Sequence, residues 1–210
     1  DRLLNDSNSA LRIEAQATFL RLKQDDPFGF LKDATEELLP LHQIILFEIV
    51  ANTQELPMPD LASLLQSPNT SVVSFAIKLS GYYQQFEIIP QLIPLLDHDS
   101  QPIRSEAIEV LGKLGAEESE AIMIAKFPEE EQKVKLKILE AIGTMKTGMQ
   151  ADFLKKEFLS SGEFLVAKTA AIALAGYPGF DKESFLAGAP GITPQLTNVI
   201  NHSTNTLIRN

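Results

Sequence analysis

The sequence predicts an all-α chain, a right-handed α-solenoid (an α-α superhelix) of about six stacked helical hairpins. Three observations lead there. One helix-like pattern recurs along the chain at a near-constant interval. Its apolar positions form columns at helical spacing. No stretch alternates apolar and polar residues as a half-buried strand would.

The pattern is plainest in Ser71–Gly81, Pro102–Gly112, Lys133–Gly143 and Val166–Gly176, whose final glycines stand 31, 31 and 33 residues apart. Counting back by 30 and then 31 reaches Ala51 and Leu20, which close two further stretches, 41–51 and 10–20. Five residues before the glycine position stand Ala15, Leu46, Ala76, Ala107, Ile138 and Ala171; two before it stand Thr18, Ile49, Leu79, Val110, Ala141 and Leu174. Nine before it stand Leu11, His42, Val72, Ile103, Val134 and Ala167. These offsets place the columns on one helix face, which is expected to be buried, with the alanines admitting a close neighbour. The glycine is expected to end each helix, because it enters the left-handed conformation without penalty.

Partner helices with their own apolar pattern lie between these stretches: Pro59–Leu65, Phe86–Leu96 and Gln150–Leu159. Turn residues separate the copies at Ser67-Pro68-Asn69, Asp97-His98-Asp99-Ser100 and Ser160-Ser161-Gly162. A helix pair of about 30 residues cannot bury its apolar face alone, so the pairs must stack. The loop from Asp25 to Leu39 and the tail after Tyr177 break the period. The expected organisation is an array over 1–192 and a C-terminal capping helix or tail over 193–210. There Thr193-Pro194 reads as an N-cap with Pro at the first helical position, and Leu196, Val199, Ile200 and Leu207 as the closing face. The first helix matches the second member of a pair, with Leu3-Leu4 as the end of a lost partner, so a longer parent protein is expected.

The segment from Leu95 through Arg104 and Ala107 to Gly112, with its Asp-containing turn, its Ile103-Arg104 pair and its Leu111-Gly112, resembles a HEAT repeat. Asp6 to Leu22, with Leu11-Arg12 and Ala15, resembles the same unit, and the register spans nearly the whole chain. The resemblance implies a scaffold whose second helices line a concave side. It also implies an Asp/Arg ladder, but the positions matching Arg12 and Arg104 hold Gln43, Val73, Lys135 and Lys168, so a continuous ladder is not expected.

The net charge of −10 and a pI near 4.8 disfavour nucleic acid and anionic lipid as partners. The absence of Cys excludes disulfides and thiolate chemistry. No apolar run approaches the roughly 20 residues that span a bilayer. His42, His98 and His202 lie in different copies and are not expected to share a metal. Glu117, Glu118, Glu120 and Glu129, Glu130, Glu131 read as solvated turns and helix starts. Neither a phosphate loop nor a nucleophile elbow is present. No catalytic, cofactor or metal site is therefore assigned, and the chain is not expected to be an enzyme.

The candidate functional surface is the outward stripe of the second helices. Six residues before the glycine stand Glu14, Ile45, Phe75, Glu106, Lys137 and Ala170; three before it stand Ala17, Glu48, Lys78, Glu109, Glu140 and Ala173. One after it stand Arg21, Asn52, Tyr82, Lys113, Thr144 and Tyr177. Glu48, Lys78, Tyr82, Glu106, Glu109, Lys113, Lys137, Glu140 and Tyr177 are the expected contacts for a protein or peptide partner, with the two tyrosines as anchors. The expected role is a non-enzymatic interaction scaffold, cytoplasmic or on the cytoplasmic face of a membrane-anchored bacterial parent. The alternatives are a HEAT-like enzyme or lyase subunit, its DNA-glycosylase form disfavoured by the acidic charge, and the soluble domain of such a membrane-anchored protein.

Overall fold

The computed structural model describes residues 2–22, 27–53, 56–147, 151–177, 179–188, 194 and 196–200. They are helical or irregular, with no strand among them. The helices are α1 Ser9–Arg21, α2 Pro40–Asn52, α3 Leu61–Leu64, α4 Thr70–Tyr82, α5 Ile89–Leu92, α6 Gln101–Leu114, α7 Glu120–Lys126, α8 Gln132–Met145, α9 Ala151–Ser160, α10 Phe164–Ala175 and α11 Lys182–Ala187. The chain is all-α, of the α-solenoid class. It forms two compact units, Asp1–Glu106 and Ala107–Asn210.

In the N-terminal unit α1 and α4 begin on side-chain caps, whereas α2 starts on Pro40 without one. Asn8 Oδ1 accepts the amides of Ala10 and Leu11 at 3.0 and 3.3 Å. Asn69 Oδ1 accepts the Ser71 amide at 3.1 Å, and its Nδ2 donates to the carbonyls of Ala34 and Glu36 at 3.1 and 3.0 Å. One side chain thus starts α4 and holds down the loop before α2. The Leu38 amide donates to Ser71 Oγ at 2.8 Å and fastens the same loop again. Helix α4 is buried along Ser71–Ile77, Leu79 and Ser80 and forms the unit's centre. The Phe86–Asp97 stretch is not one helix. It runs as a 3-10 turn (Phe86–Ile88), α5 and a 3-10 turn (Ile93–Asp97), because Pro90 and Pro94 lack the amide that a continuous helix needs.

Helix α1 departs from the expected register. Its buried residues are Arg12, Gln16, Ala17 and Leu20, one position later than expected, while Leu11 and Thr18 are exposed and Ala15 is half-buried. Two polar side chains can face inward because backbone carbonyls receive them. Arg12 donates to the carbonyls of Asp6, Ser7 and Glu37, and Gln16 Nε2 donates to Leu4 O at 2.6 Å. Leu4 lies in a 3-10 turn, Arg2–Asn5.

The repeat glycines need a larger correction. Gly81, Gly112 and Gly143 lie inside α4, α6 and α8 and do not end them; Gly176 follows α10 with φ −86°. In the C-terminal unit these glycines are spacers. A Cβ on Gly112 would stand 2.8 Å from both Cα and Cβ of Ala141, and one on Gly143 would stand 2.7 Å from Ala173 Cβ. The left-handed position comes three residues later. Gln84, Gly115, Lys146 and Gly179 have φ of 50, 66, 53 and 74°, in step with the repeat. Around Gly115 the Ala116 amide reaches Leu111 O at 3.0 Å, and around Gln84 the Gln85 amide reaches Ser80 O at 3.1 Å, the six-to-one closure of a Schellman end.

The same unit packs α8 and α9 against α10. Leu154 and Phe158 of α9 are buried, and Phe127 meets Phe153 edge-on at 5.2 Å. Glu120 corrects the reading of the acidic runs as wholly solvated. It is buried, and both its carboxylate oxygens accept the Thr147 hydroxyl, at 2.9 and 3.1 Å. In the tail, Asp181 Oδ1 caps α11 by accepting the Ser184 amide at 3.1 Å. Pro194 and residues 196–200 are helical, and Ile200 is buried. Thr193, His202 and Leu207 lie outside the described residues.

Candidate interaction surface

The stripe residues of the N-terminal unit divide into charged and apolar parts. Lys78 Nζ lies 3.1 Å from Glu106 Oε1, donates to Gln43 Oε1 at 2.8 Å and to Ser74 Oγ at 3.0 Å. Its charge is committed within the unit. Tyr82 ends α4 half-exposed; Phe47 of α2 meets it edge-on at 5.2 Å and Tyr83 at 5.3 Å. Burial, with the Tyr82 hydroxyl nearby, pushes the Tyr83 hydroxyl above the usual tyrosine range. Glu48 is exposed on α2. Phe75, placed on the outward stripe by the spacing, is instead fully buried.

In the C-terminal unit the charges form a network. Glu109 Oε1 lies 2.6 Å from Lys113 Nζ and Glu109 Oε2 lies 3.1 Å from Lys137 Nζ, which also sits 3.1 Å from Glu140 Oε2. The Lys113 hydrogen bond, reinforced by Lys137, holds the Glu109 carboxyl below the usual range. Burial opposes the charge on Lys137, but Glu140 and Glu109 outweigh it and hold the ammonium above the usual range. The Thr144 hydroxyl donates to Glu140 O at 2.8 Å. Exposed pairs of this kind contribute about 0 to 1 kcal/mol each. Their main effect is to leave little free charge on that face.

Tyr177 is not an accessible anchor. It is buried, and its hydroxyl donates to Ile142 O at 3.5 Å. Burial raises its pKa, the Glu120 carboxylate raises it further, and a hydrogen bond with Thr147 works the other way. Helix α10 ends at Ala175, so Tyr177 lies beyond the helix and against α8, whereas Tyr82 is still inside α4.

His42 is fully buried, and neither ring nitrogen has a hydrogen-bond partner among the described residues. Burial lowers its pKa to about 4, and the Arg12 charge adds to the shift. In the turn before α6, His98 Nδ1 accepts the Ser100 amide at 2.9 Å. Arg104 donates to the carbonyls of His98 and Asp99 at 3.0 and 3.1 Å, so this arginine braces its own turn. Among the described residues no group of His, Asp or Glu is placed to hold a metal ion. No described helix is long and apolar enough to cross a membrane.

The sequence reading missed the exposed apolar side chains of the N-terminal unit. Leu11 and Leu22 of the α1 region are 50 and 62% exposed, and Leu41 and Ile44 of α2 are 65 and 55% exposed. The signal that would have found them is the columns ten and seven residues before the glycine and one after it, read after moving α1 by one position.

Residues 58–127 match the family described as HEAT repeats. A crystal structure of an engineered protein from the Northeast Structural Genomics Consortium is similar in fold, with a TM-score of 0.51 at 13% identity, covering 99% of this chain and 94% of that one. No curated protein matches the chain. The matched segment contains the α3–α4 pair and the broken helix that precedes α6, the same pairing that the buried columns repeat on either side. Residues 58–127 form a HEAT-repeat segment of this chain.

Proposed function

We propose that the chain is a non-enzymatic interaction scaffold that binds a protein or peptide on the outward stripe of its second helices. The supporting observation is the contrast between buried and outward columns of the same helices. Leu46, Ala76, Ala107, Ile138 and Ala171 are buried, whereas Glu48, Tyr82, Lys113 and Glu140 stand exposed at repeating offsets. A stack of this kind presents many such positions at fixed spacing, which suits recognition of an extended partner. Tyr82 is the aromatic anchor of the reading, and Tyr177 drops out of it.

Affinity capture with the full chain tests the proposal. Quantitative mass spectrometry compares wild type with Glu48→Lys, Tyr82→Ala and Glu140→Lys. Loss of the same captured proteins from one or more variants is expected. If all three variants retain every captured protein at wild-type abundance, the stripe is not the binding surface.

A further inference from the structure

Within the N-terminal unit half of the outward stripe on α1 and α2 is apolar, with carboxylates between. With α1 placed one residue later, the positions ten, seven and three before the glycine and one after it are Leu11, Glu14, Thr18 and Leu22 near α1. On α2 they are Leu41, Ile44, Glu48 and Asn52, and all eight are exposed. Helix α1 packs against α2, and α2 reaches α4 through Phe47 on Tyr82 and Gln43 on Lys78, so the three faces adjoin. Among this unit's described residues, five of the nine exposed large apolar side chains (Leu11, Leu22, Leu41, Ile44 and Tyr82) fall in these columns. Exposed apolar residues at one repeated offset are not the scatter expected of a solvated surface.

The charge on this patch has one dominant sign. Glu48 is exposed; Glu14 is exposed and lies 3.8 Å from Arg21 in a loose pair. Lys78 is taken up by Glu106 and Gln43, and the whole chain carries −10. An acidic partner would meet repulsion here, and a purely polar one would strand the leucines against water.

We infer that the α1–α2–α4 face docks a basic amphipathic helix, its apolar side on Leu11, Leu41, Ile44 and Tyr82 and its Lys or Arg residues beside Glu14 and Glu48. This inference rests on the scaffold reading and adds the partner's chemistry to it. Helix-in-groove recognition reads anchors at i, i+3 or i+4 and i+7, which a two-sided helix supplies. Opposite charge at the rim fixes register and speeds encounter.

The test uses the full chain and three fluorescent synthetic peptides, each about 18 residues or five helical turns long. One carries Leu on one face and Lys elsewhere. The second replaces the Lys with Glu. The third has the first peptide's composition with the leucines scattered. Anisotropy titrations are expected to show the Leu/Lys helix binding at least about tenfold more tightly than either other peptide. Ile44→Ser and Leu41→Ser each weaken it by about tenfold or more, from the apolar area they remove. Glu48→Lys also weakens binding and flattens its salt dependence, whereas Glu118→Lys, exposed in the other unit and off the stripe, leaves it unchanged. Circular dichroism confirms that the variants fold, and the exposed positions make this the expected result.

Equal binding of the scattered peptide reduces the effect to bulk charge and overturns the inference. Tighter binding of the Glu peptide, or insensitivity to both Ile44→Ser and Glu48→Lys, also overturns it. If no peptide binds while Glu48 or Tyr82 substitutions still remove captured proteins, the inference fails and the scaffold reading stands.

Discussion

Gly112→Ala tests whether the repeat glycine is a spacer or a helix stop. In an exposed helix interior the change would stabilise, since alanine is favoured over glycine by about 1 kcal/mol. Here the new Cβ would lie 2.8 Å from two carbons of Ala141, one of them backbone. Ordinary carbon contact needs about 3.5 to 4 Å, so α6 and α8 would have to part locally by most of an ångström. Inserting a methyl into a filled contact costs about 1 to 3 kcal/mol. The net expectation is a loss of about 1 to 2 kcal/mol, or a fall of about 2 to 8 °C in Tm at this chain length. Gly143→Ala, with 2.7 Å to Ala173 Cβ, should behave alike. Gly162→Ala is the control, because nothing lies within 4 Å of its Cβ. Thermal and urea unfolding followed by circular dichroism measures all three. Gly112→Asn discriminates further: a left-handed stop tolerates Asn, whereas a spacer suffers more from Asn than from Ala. A Gly112→Ala protein as stable as wild type, or tolerance of Asn there, would refute the spacer argument.

Three further outcomes follow from the geometry. Gln84→Gly and Lys146→Gly should each stabilise by about 0.5 to 1 kcal/mol in urea unfolding, because both residues hold the left-handed conformation that glycine adopts freely. Asn69→Ala should cost about 1 to 2 kcal/mol in the same assay, since the α4 cap and two bonds to the preceding loop go together. His42 gives a pH signature. Its pKa is about 4 folded against 6.5 unfolded, so the unfolded chain takes up the proton first. Stability from this group is complete above pH 6.5, falls as pH drops, and is lost through pH 4, about 3 kcal/mol in all. Between pH 6.5 and 4 wild type should lose about 3 kcal/mol more stability than His42→Leu; parallel curves would show that His42 does not resist protonation.

The second helices were legible because a buried face leaves a 3.6-residue period, and Leu46, Ala76, Ala107, Ile138 and Ala171 carry it without interruption. The α1 register was hidden because Arg12 and Gln16 face inward, and their inwardness depends on the carbonyls of Leu4, Asp6 and Glu37 lying close in space. The glycine was visible but its role was not. A stop and a spacer have the same composition, and only the position of Ala141 or Ala173 separates them. On the candidate surface the charged residues were identifiable from spacing. Their mutual neutralisation was not, because Lys137 meets Glu109 across helices. Tyr177 misled for a simpler reason: α10 ends at Ala175 where α4 runs on through Tyr82, so the same offset falls outside the helix and is buried.

The left-handed residues at Gln84, Gly115, Lys146 and Gly179 keep the same step as the helices they follow. Each stretch cut after one of them therefore holds its own start, its core face and its own exit. Such a segment is a self-punctuated module. Duplication or deletion of one whole step lengthens or shortens the array without rewriting a junction, whereas a cut elsewhere leaves one helix with no exit and its neighbour with two.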